Sequence, residues 1–243
     1  MDDLAGRVAV ITGAAGGIGL AVAERFVAEG MSVVLADIDG AQLAAEVDRL
    51  TADGGSVHGV VCDVRDPGSV DALGRAVIER FGALHVAMNN AGIVNGGLAW
   101  ELTVEDWHRV LDVNLWGVIH GVRTFVPLIL TTGEPGHVVN TGSLASVMAL
   151  AYLGPYTVAK HGVLGLSDVL RQDLLKAGAP VGVSAVFPGM TMSRMNPIGT
   201  HPASGVADVV VDAIRTNKPY VFSDDESIDE IEQRLTAILR SRD

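Results

Sequence analysis

Short, mostly apolar runs rich in β-branched residues alternate along the chain with longer segments whose apolar residues recur every three or four positions. The runs are VAVIT (8–12), SVVLA (32–36), VHGVVC (57–62), LHVAM (84–88), HVVNT (137–141), VGVSAVF (181–187) and PYVF (219–222). The periodic segments cover 18–29, 41–50, 69–80, 103–130, 155–176 and 205–216. Strands apolar on both faces and separated by amphipathic helices predict an α/β fold, a doubly wound parallel sheet with helices on both faces. Right-handed crossovers then set every strand's C-terminal end on one edge, where ligands bind at the reversal of strand order. The stretch 188–202 is rich in Gly, Pro, Met and Ser and reads as an irregular lid. Ile228, Ile231, Leu235 and Ile238 recur at helical spacing and predict an additional amphipathic helix over about 226–241.

Composition narrows the function. With 243 residues, 49% of them hydrophobic, and no repeat, low-complexity tract or linker, a single domain over 1–243 is expected. A net charge of −12 argues against nucleic acid or an anionic membrane as partner, since phosphate binding needs clustered Lys and Arg. Cys62 is the single cysteine and excludes an internal disulfide, and the seven His show no ligand spacing, so no metal is expected. The start MDDLAGRVAV lacks a basic segment and reads as a strand rather than a signal peptide. No run reaches the ~20 apolar residues of a membrane span. A reduced, cytoplasmic protein is the expectation.

The chemistry begins at VITGAAGGIGLA (10–21), where Gly13, Gly17 and Gly19 lie between a strand and an alanine-rich helix. Glycines let the backbone bend and a pyrophosphate approach, while free N–H groups and the helix dipole favour its charge. A tight strand-to-helix connection has the same composition. Asp37 ends the second strand eighteen residues past Gly19, where a carboxylate accepts hydrogen bonds from an adenosine ribose. No Lys or Arg lies between Gly13 and Gly19 or from Asp37 to Gln42 to meet a 2′-phosphate, which favours NAD over NADP. Asn90-Ala91-Gly92 follows the fourth strand and either passes close to a cofactor or makes a plain turn. Asp63 faces an adenine or caps a turn.

PYTVAK (155–160) carries the strongest catalytic signal. Pro155 suits a first helical turn, so Tyr156 and Lys160 lie one turn apart on one face. A free phenol titrates near 10, and lowering it about three units takes ~4 kcal/mol. One ammonium about 4 Å away supplies that much at an effective dielectric of 20. Tyr and Lys at this spacing also form ordinary surface pairs. Ser143, at the end of the fifth strand, can reach the same substrate oxygen, with Ser146 as competitor. Asn114 falls on the apolar line Trp107, Leu111, Val118, Val122, Phe125, so it is a structural hydrogen-bonder or a member of a proton relay.

Taken together, TGAAGGIG (12–19), Asp37, Asp63, NNAG (89–92), Asn114, Ser143, YTVAK (156–160) and Pro188-Gly189 resemble the short-chain dehydrogenase/reductase family, in order from residue 7 to about 215. The resemblance implies a seven-stranded Rossmann-type sheet and hydride transfer at nicotinamide C4. It implies Tyr156 as general acid/base, Lys160 lowering its pKa and binding the nicotinamide ribose, Ser143 holding the substrate oxygen, and Asn114 positioning a water. The cofactor, NAD, would touch Gly13, Gly17, Ile18, Gly19, Asp37, Ile38, Asp63, Val64, Asn90, Ala91, Gly92, Tyr156, Lys160, Pro188, Gly189 and Thr191. In that fold Val94, Leu144, Leu150, Leu153, Met190 and Met192 wall the substrate site. Such a wall suits an apolar secondary alcohol or its ketone, of cyclic, terpenoid, steroid or aromatic type, rather than a sugar or hydroxy acid. Arg194, the one formal charge between Pro188 and Pro202, meets a substrate carboxylate or is a solvated lid residue.

Two departures stand out. Gly142 replaces a second Ser and should open the pocket slightly, and the glycine-rich ending after the last strand is absent, which puts the family's tetramer contact near that strand in doubt. Gly117, Gly121, Gly162 and Gly165 on 103–130 and 155–176 permit close helix packing, and in the family the equivalent helices join subunits, so a homodimer or homotetramer is expected. Other readings on the same fold are an epimerase or dehydratase and a non-catalytic dinucleotide sensor.

Overall fold

A computed structural model describes residues 1, 3–192, 195–225 and 227–241. The strands are β1 (Val8–Thr12), β2 (Ser32–Asp37), β3 (Ser56–Val61), β4 (Val86–Asn89), β5 (Gly136–Thr141), β6 (Val181–Phe187) and β7 (Tyr220–Phe222). They form one all-parallel sheet in the order β3-β2-β1-β4-β5-β6-β7. The order reverses between β1 and β4, and a ligand crevice is expected there.

Helices α1 (Gly17–Ala28), α2 (Gly40–Ala52) and α7 (Ala203–Thr216) cover one face. Val22 and Phe26 of α1 interlock with Val206, Val210 and Ile214 of α7 in this layer. The other face carries α3 (Pro67–Phe81), α4 (Val104–Leu111), α5 (Gly117–Leu130) and α6 (Gly154–Lys176). Leu73 and Val77, Phe125 and Ile129, and Leu170 and Leu174 form its core. Caps fix the helix ends: Asp66 accepts from Gly68 N with Pro67 behind it, and Thr103 and Asp106 close a reciprocal capping box. The expected extra helix is α8 (Ile228–Arg240). Its apolar line does not all go inside: Ile231 is buried, whereas Leu235 and Ile238 are exposed.

The long periodic segment 103–130 is not one regular helix. Between α4 and α5 the chain widens into a π turn, Asp112–Trp116. Within the 27 residues Val104–Leu130 one 18-residue stretch reaches a mean hydropathy of 1.4, long and apolar enough by length and composition to cross a membrane, contrary to the expectation of no such run. Here they pack on the sheet, and Asn114 and His120 are buried among the apolar side chains.

Three of the four glycines expected to serve subunit packing serve the chain itself. A Cβ at Gly117 would meet Val64 at 2.8 Å, one at Gly121 would overlap the Asn89 side chain, and one at Gly162 would meet Leu115 at 2.9 Å. Only Gly165 of the four faces open space.

Candidate active site

A cleft of about 670 Å³ opens at the strand-order reversal, along the carboxyl edge of the sheet. One end is the turn from β1 into α1. Gly13 and Gly17 hold φ of 67° and 57°, and a Cβ on Gly13 would stand 2.8 Å from the Ala91 Cα. Gly13, Gly16, Gly17 and Ile18 line the cleft, and no side chain caps α1, so its first amides are left for a ligand. Gly19 lies behind them and does not line it: a Cβ there would overlap the Gly13 carbonyl. Its role is to let the helix close on the turn.

Asp37 is pinned at the end of β2. Its Oδ2 accepts from Ala15 N at 3.0 Å and its Oδ1 from Asp39 N at 3.0 Å, beside an exposed Ile38. Asp63, Val64, Ala91 and Gly92 continue the wall. Arg65, which sequence pattern does not single out, also lines it and donates to Asp63 Oδ2 at 2.6 Å, holding that carboxyl below its usual range. Val64 is fixed from behind by His120, whose Nδ1 donates to its carbonyl at 2.9 Å. Cys62 lies at the same end, and burial pushes its thiol up, away from nucleophilic chemistry.

The middle of the cleft is tied to the turn by a chain of polar contacts. Lys160 donates Nζ–H to the Thr141 carbonyl at 2.7 Å, and Thr141 Oγ1 donates to Asn90 Oδ1 at 3.3 Å. Asn90 Nδ2 in turn donates to the Thr12 and Gly13 carbonyls at 3.0 and 3.2 Å. Tyr156 shares the wall with Lys160, but the expected depression of its phenol by the ammonium is not found in the protein alone. Burial pushes the phenol up, with Ser143 opposing, and burial pushes Lys160 down to about 8. Both groups have lost water, and the lysine is turned onto Thr141.

Ser143, not Ser146, opens on the cleft. Ser146 is buried and accepts from Ser143 N at 3.2 Å, while Ser143 Oγ accepts from Ala145 N at 3.2 Å. The missing second serine leaves no extra room. A Cβ on Gly142 would stand 2.7 Å from Ser146 Oγ and 3.0 Å from both Phe187 and the Val186 carbonyl. Asn114 is fully buried, outside the cleft lining, with both amide atoms on Ile93: Oδ1 accepts from its N–H at 2.8 Å and Nδ2 donates to its carbonyl at 2.9 Å. This is the structural reading of that residue, and it holds the loop after β4.

At the far end Val94, Leu150, Leu153 and Met190 line the cleft, joined by Ile93, Val113 and Met195, which periodicity did not single out. Leu144 and Met192 do not line it. Leu144 is half-buried under the Pro188 carbonyl, and Met192 is exposed, its N–H given to His201 O at 2.8 Å. Asn196 and Arg109 add polar atoms to the lining; Arg194 lies outside the described residues. Pro188, Gly189 and Thr191 close the site, and among the described residues the buried Thr191 Oγ1 has no hydrogen-bond partner.

These residues fit a nicotinamide dinucleotide. An uncapped glycine turn suits the pyrophosphate, a pinned carboxylate suits a ribose diol, and the unpartnered Thr191 hydroxyl suits a polar group at the opposite end. Among the described residues no cluster of His, Cys, Asp or Glu could hold a metal ion.

A family model described as short chain dehydrogenase matches residues 7–201. A 1-deoxy-11-beta-hydroxypentalenate dehydrogenase of Streptomyces avermitilis is 38% identical over 88% of this chain and 83% of its own. A cyclohexanol dehydrogenase of an Acinetobacter species is 37% identical over 75% of this chain and 72% of its own. Among solved structures, a short chain dehydrogenase/reductase from Burkholderia phymatum in complex with NAD superposes with a TM-score of 0.96 at 35% identity, covering 100% of this chain and 98% of that one. An actinorhodin polyketide ketoreductase with NADPH superposes with a TM-score of 0.84 at 30% identity, over 91% and 97%.

Proposed function

The chain belongs to the short-chain dehydrogenase family, and we propose that within it the protein is an NAD-dependent oxidoreductase interconverting an apolar secondary alcohol and its ketone. The observation that carries this reading is the order of groups along one cleft: Asp37 and the glycine turn, then Lys160, Tyr156 and Ser143, then Ile93, Val94, Leu150, Leu153, Met190 and Met195. When bound, the nicotinamide supplies the hydride acceptor or donor. The Ser143 hydroxyl holds the substrate oxygen, and Tyr156 exchanges the proton with it. For ketone reduction the buried, protonated phenol is already the donor form. For alcohol oxidation it must first lose its proton, and the Ser143 hydroxyl favours the ionised form against the effect of burial. Asn114 acts at one remove, by holding Ile93 in the wall.

NAD is proposed over NADP because the carboxylate of Asp37, pinned at the end of β2 on the cleft wall, would repel a 2′-phosphate, and Arg65 is already paired with Asp63. Cyclic alcohols are proposed because the far wall is apolar and its methionines adapt to varied shapes. The relatives named for cyclohexanol and for a hydroxypentalenate fit that class. A homo-oligomer is also proposed, since Trp116, Val158 and Val169 are half-exposed apolar residues on the outer helices.

The test follows NADH formation with cyclohexanol and with sorbitol, in the wild type and in Tyr156→Phe. Turnover of cyclohexanol that vanishes in the Phe variant while NADH still binds supports the reading. Turnover retained by Tyr156→Phe, or sorbitol as the better substrate, refutes it.

A further inference from the structure

After β7 the chain does two things at the site. Ser223 Oγ accepts from Gly189 N at 3.2 Å, steadying the segment Pro188–Thr191 that closes the site, and the chain then enters α8. Apolar burial alone does not seat this helix, because Ile231 is its one buried residue and Leu235, Ile238 and Leu239 are exposed. One turn after Ile231, the half-buried Arg234 reaches back to the catalytic layer. Its Nη1 donates to the Val147 carbonyl at 2.9 Å and its Nη2 donates to His161 Nε2 at 3.2 Å.

Both partners sit at informative places. Val147 ends the short turn that begins at Ser143, and its N–H donates to Leu144 O at 3.0 Å. His161 follows Lys160 on α6. Its Nδ1 donates to the Thr157 carbonyl at 2.9 Å, which fixes Nε2 as the acceptor that a guanidinium requires. Thr157 follows Tyr156. One planar fork therefore joins the turn carrying Ser143 to the helix carrying Tyr156 and Lys160.

We propose that Arg234 is a positioning residue for the reaction proposed above, holding the Ser143 turn at its working distance from Tyr156. The inference rests on that reading of Tyr156 and Ser143. An arginine suits the task because its donors are rigidly splayed and reach two elements at once, whereas a lysine is a single point charge. Ser143 and Lys160 are the polar groups placed beside the phenol, and the Ser143 hydroxyl favours its ionised form against the effect of burial. Letting the Ser143 turn drift should therefore make Tyr156 harder to ionise.

The experiment is the pH profile of cyclohexanol oxidation at saturating NAD in the wild type, Arg234→Ala, Arg234→Lys, Ser143→Ala, the Ser143→Ala/Arg234→Ala double variant and Tyr156→Phe. Arg234→Ala should lower kcat on the order of tenfold, as a small misplacement of a reacting group does, and move the rising limb to higher pH. Its affinity for NADH should stay within about twofold, as expected when the cofactor contacts are intact. Adding Arg234→Ala to Ser143→Ala should move the limb no further, since the arginine acts through the serine. Arg234→Lys should fall between, and it carries the test if the alanine variant does not fold. A wild-type kcat and limb in the Arg234 variants, with Tyr156→Phe inactive, would overturn the role of Arg234 alone; so would an equal further shift in the Ser143→Ala background. Activity retained in Tyr156→Phe would overturn the parent reading and this one with it.

Discussion

The Lys160 ammonium stands 5.6 Å from the centre of the Tyr156 ring. At that distance, with both groups buried, loss of water outweighs their mutual influence, and the lysine is held down to about 8. An unfolded chain keeps the Lys160 proton up to about 10.4. Below pH 8 the folded state carries the whole cost of the buried charge. Between about 8 and 10.4 the unfolded chain binds more protons than the folded one, so stability gains with pH, and above that window the cost is gone. Lys160→Met should therefore stabilise the cofactor-free protein at pH 7 while abolishing turnover. The upper bound is about 3 kcal/mol, reduced by about 1 kcal/mol because the Thr141 carbonyl loses its donor. Urea unfolding should show this gain shrinking to nothing above about pH 10. A Met variant less stable than wild type at pH 7 would contradict the assignment.

Asp37 should govern the choice of cofactor. The wild type is expected to prefer NAD over NADP by about a hundredfold or more in kcat/KM, since a like-charge contact costs several kcal/mol. Asp37→Ser should narrow the gap to about tenfold or less, chiefly by admitting NADP. Comparable kcat/KM with both cofactors in the wild type would remove the basis of this prediction.

Gly142→Ser should destabilise the protein, although the family resemblance would favour a serine at that place. The added Cβ meets Ser146 Oγ, Phe187 and the Val186 backbone together. A loss of about 1–3 kcal/mol is typical of overpacking. Ser146→Ala should recover part of it by removing the nearest obstacle, and thermal melts of the single and double variants measure the coupling. An unaffected Gly142→Ser melt would show that the strand end yields more easily than its contacts suggest.

Light scattering at micromolar concentration should give a species at least twice the 25.3 kDa chain. Val169→Glu, placing a charge on an exposed apolar position of α6, should shift it toward the monomer without loss of NADH binding. A wild type that runs as a monomer would refute the oligomer.

Much of the fold is legible in sequence because it is local. VAVIT and VGVSAVF are β1 and β6 to the residue, and the one-turn spacing of Tyr156 and Lys160 follows from Pro155 opening a helix. What escapes is tertiary. The Thr141 carbonyl that takes up Lys160 is a backbone group with no identity in the sequence, and nothing in the sequence pattern singles out Arg65, which lines the cleft through its pairing with Asp63. Gly142 misleads for the same reason: the space beside it is decided by Ser146 and by Phe187, forty-five residues on. Met192 fails as a wall residue because the loop's own pairing with His201 turns it outward from the cleft lining.

The widened turn Asp112–Trp116 is a slip of phase in an otherwise regular screw. One residue added to a helix rotates everything before it by ~100° relative to everything after. That slip lets α5 keep Phe125 and Ile129 in the core while α4 turns Trp107 to Gly154 and Asp106 to Asn95. Deleting a single residue from the turn would leave a longer, more regular helix. It would also swing Asn114 away from Ile93, so that regularity in the backbone would come at the expense of the wall it supports.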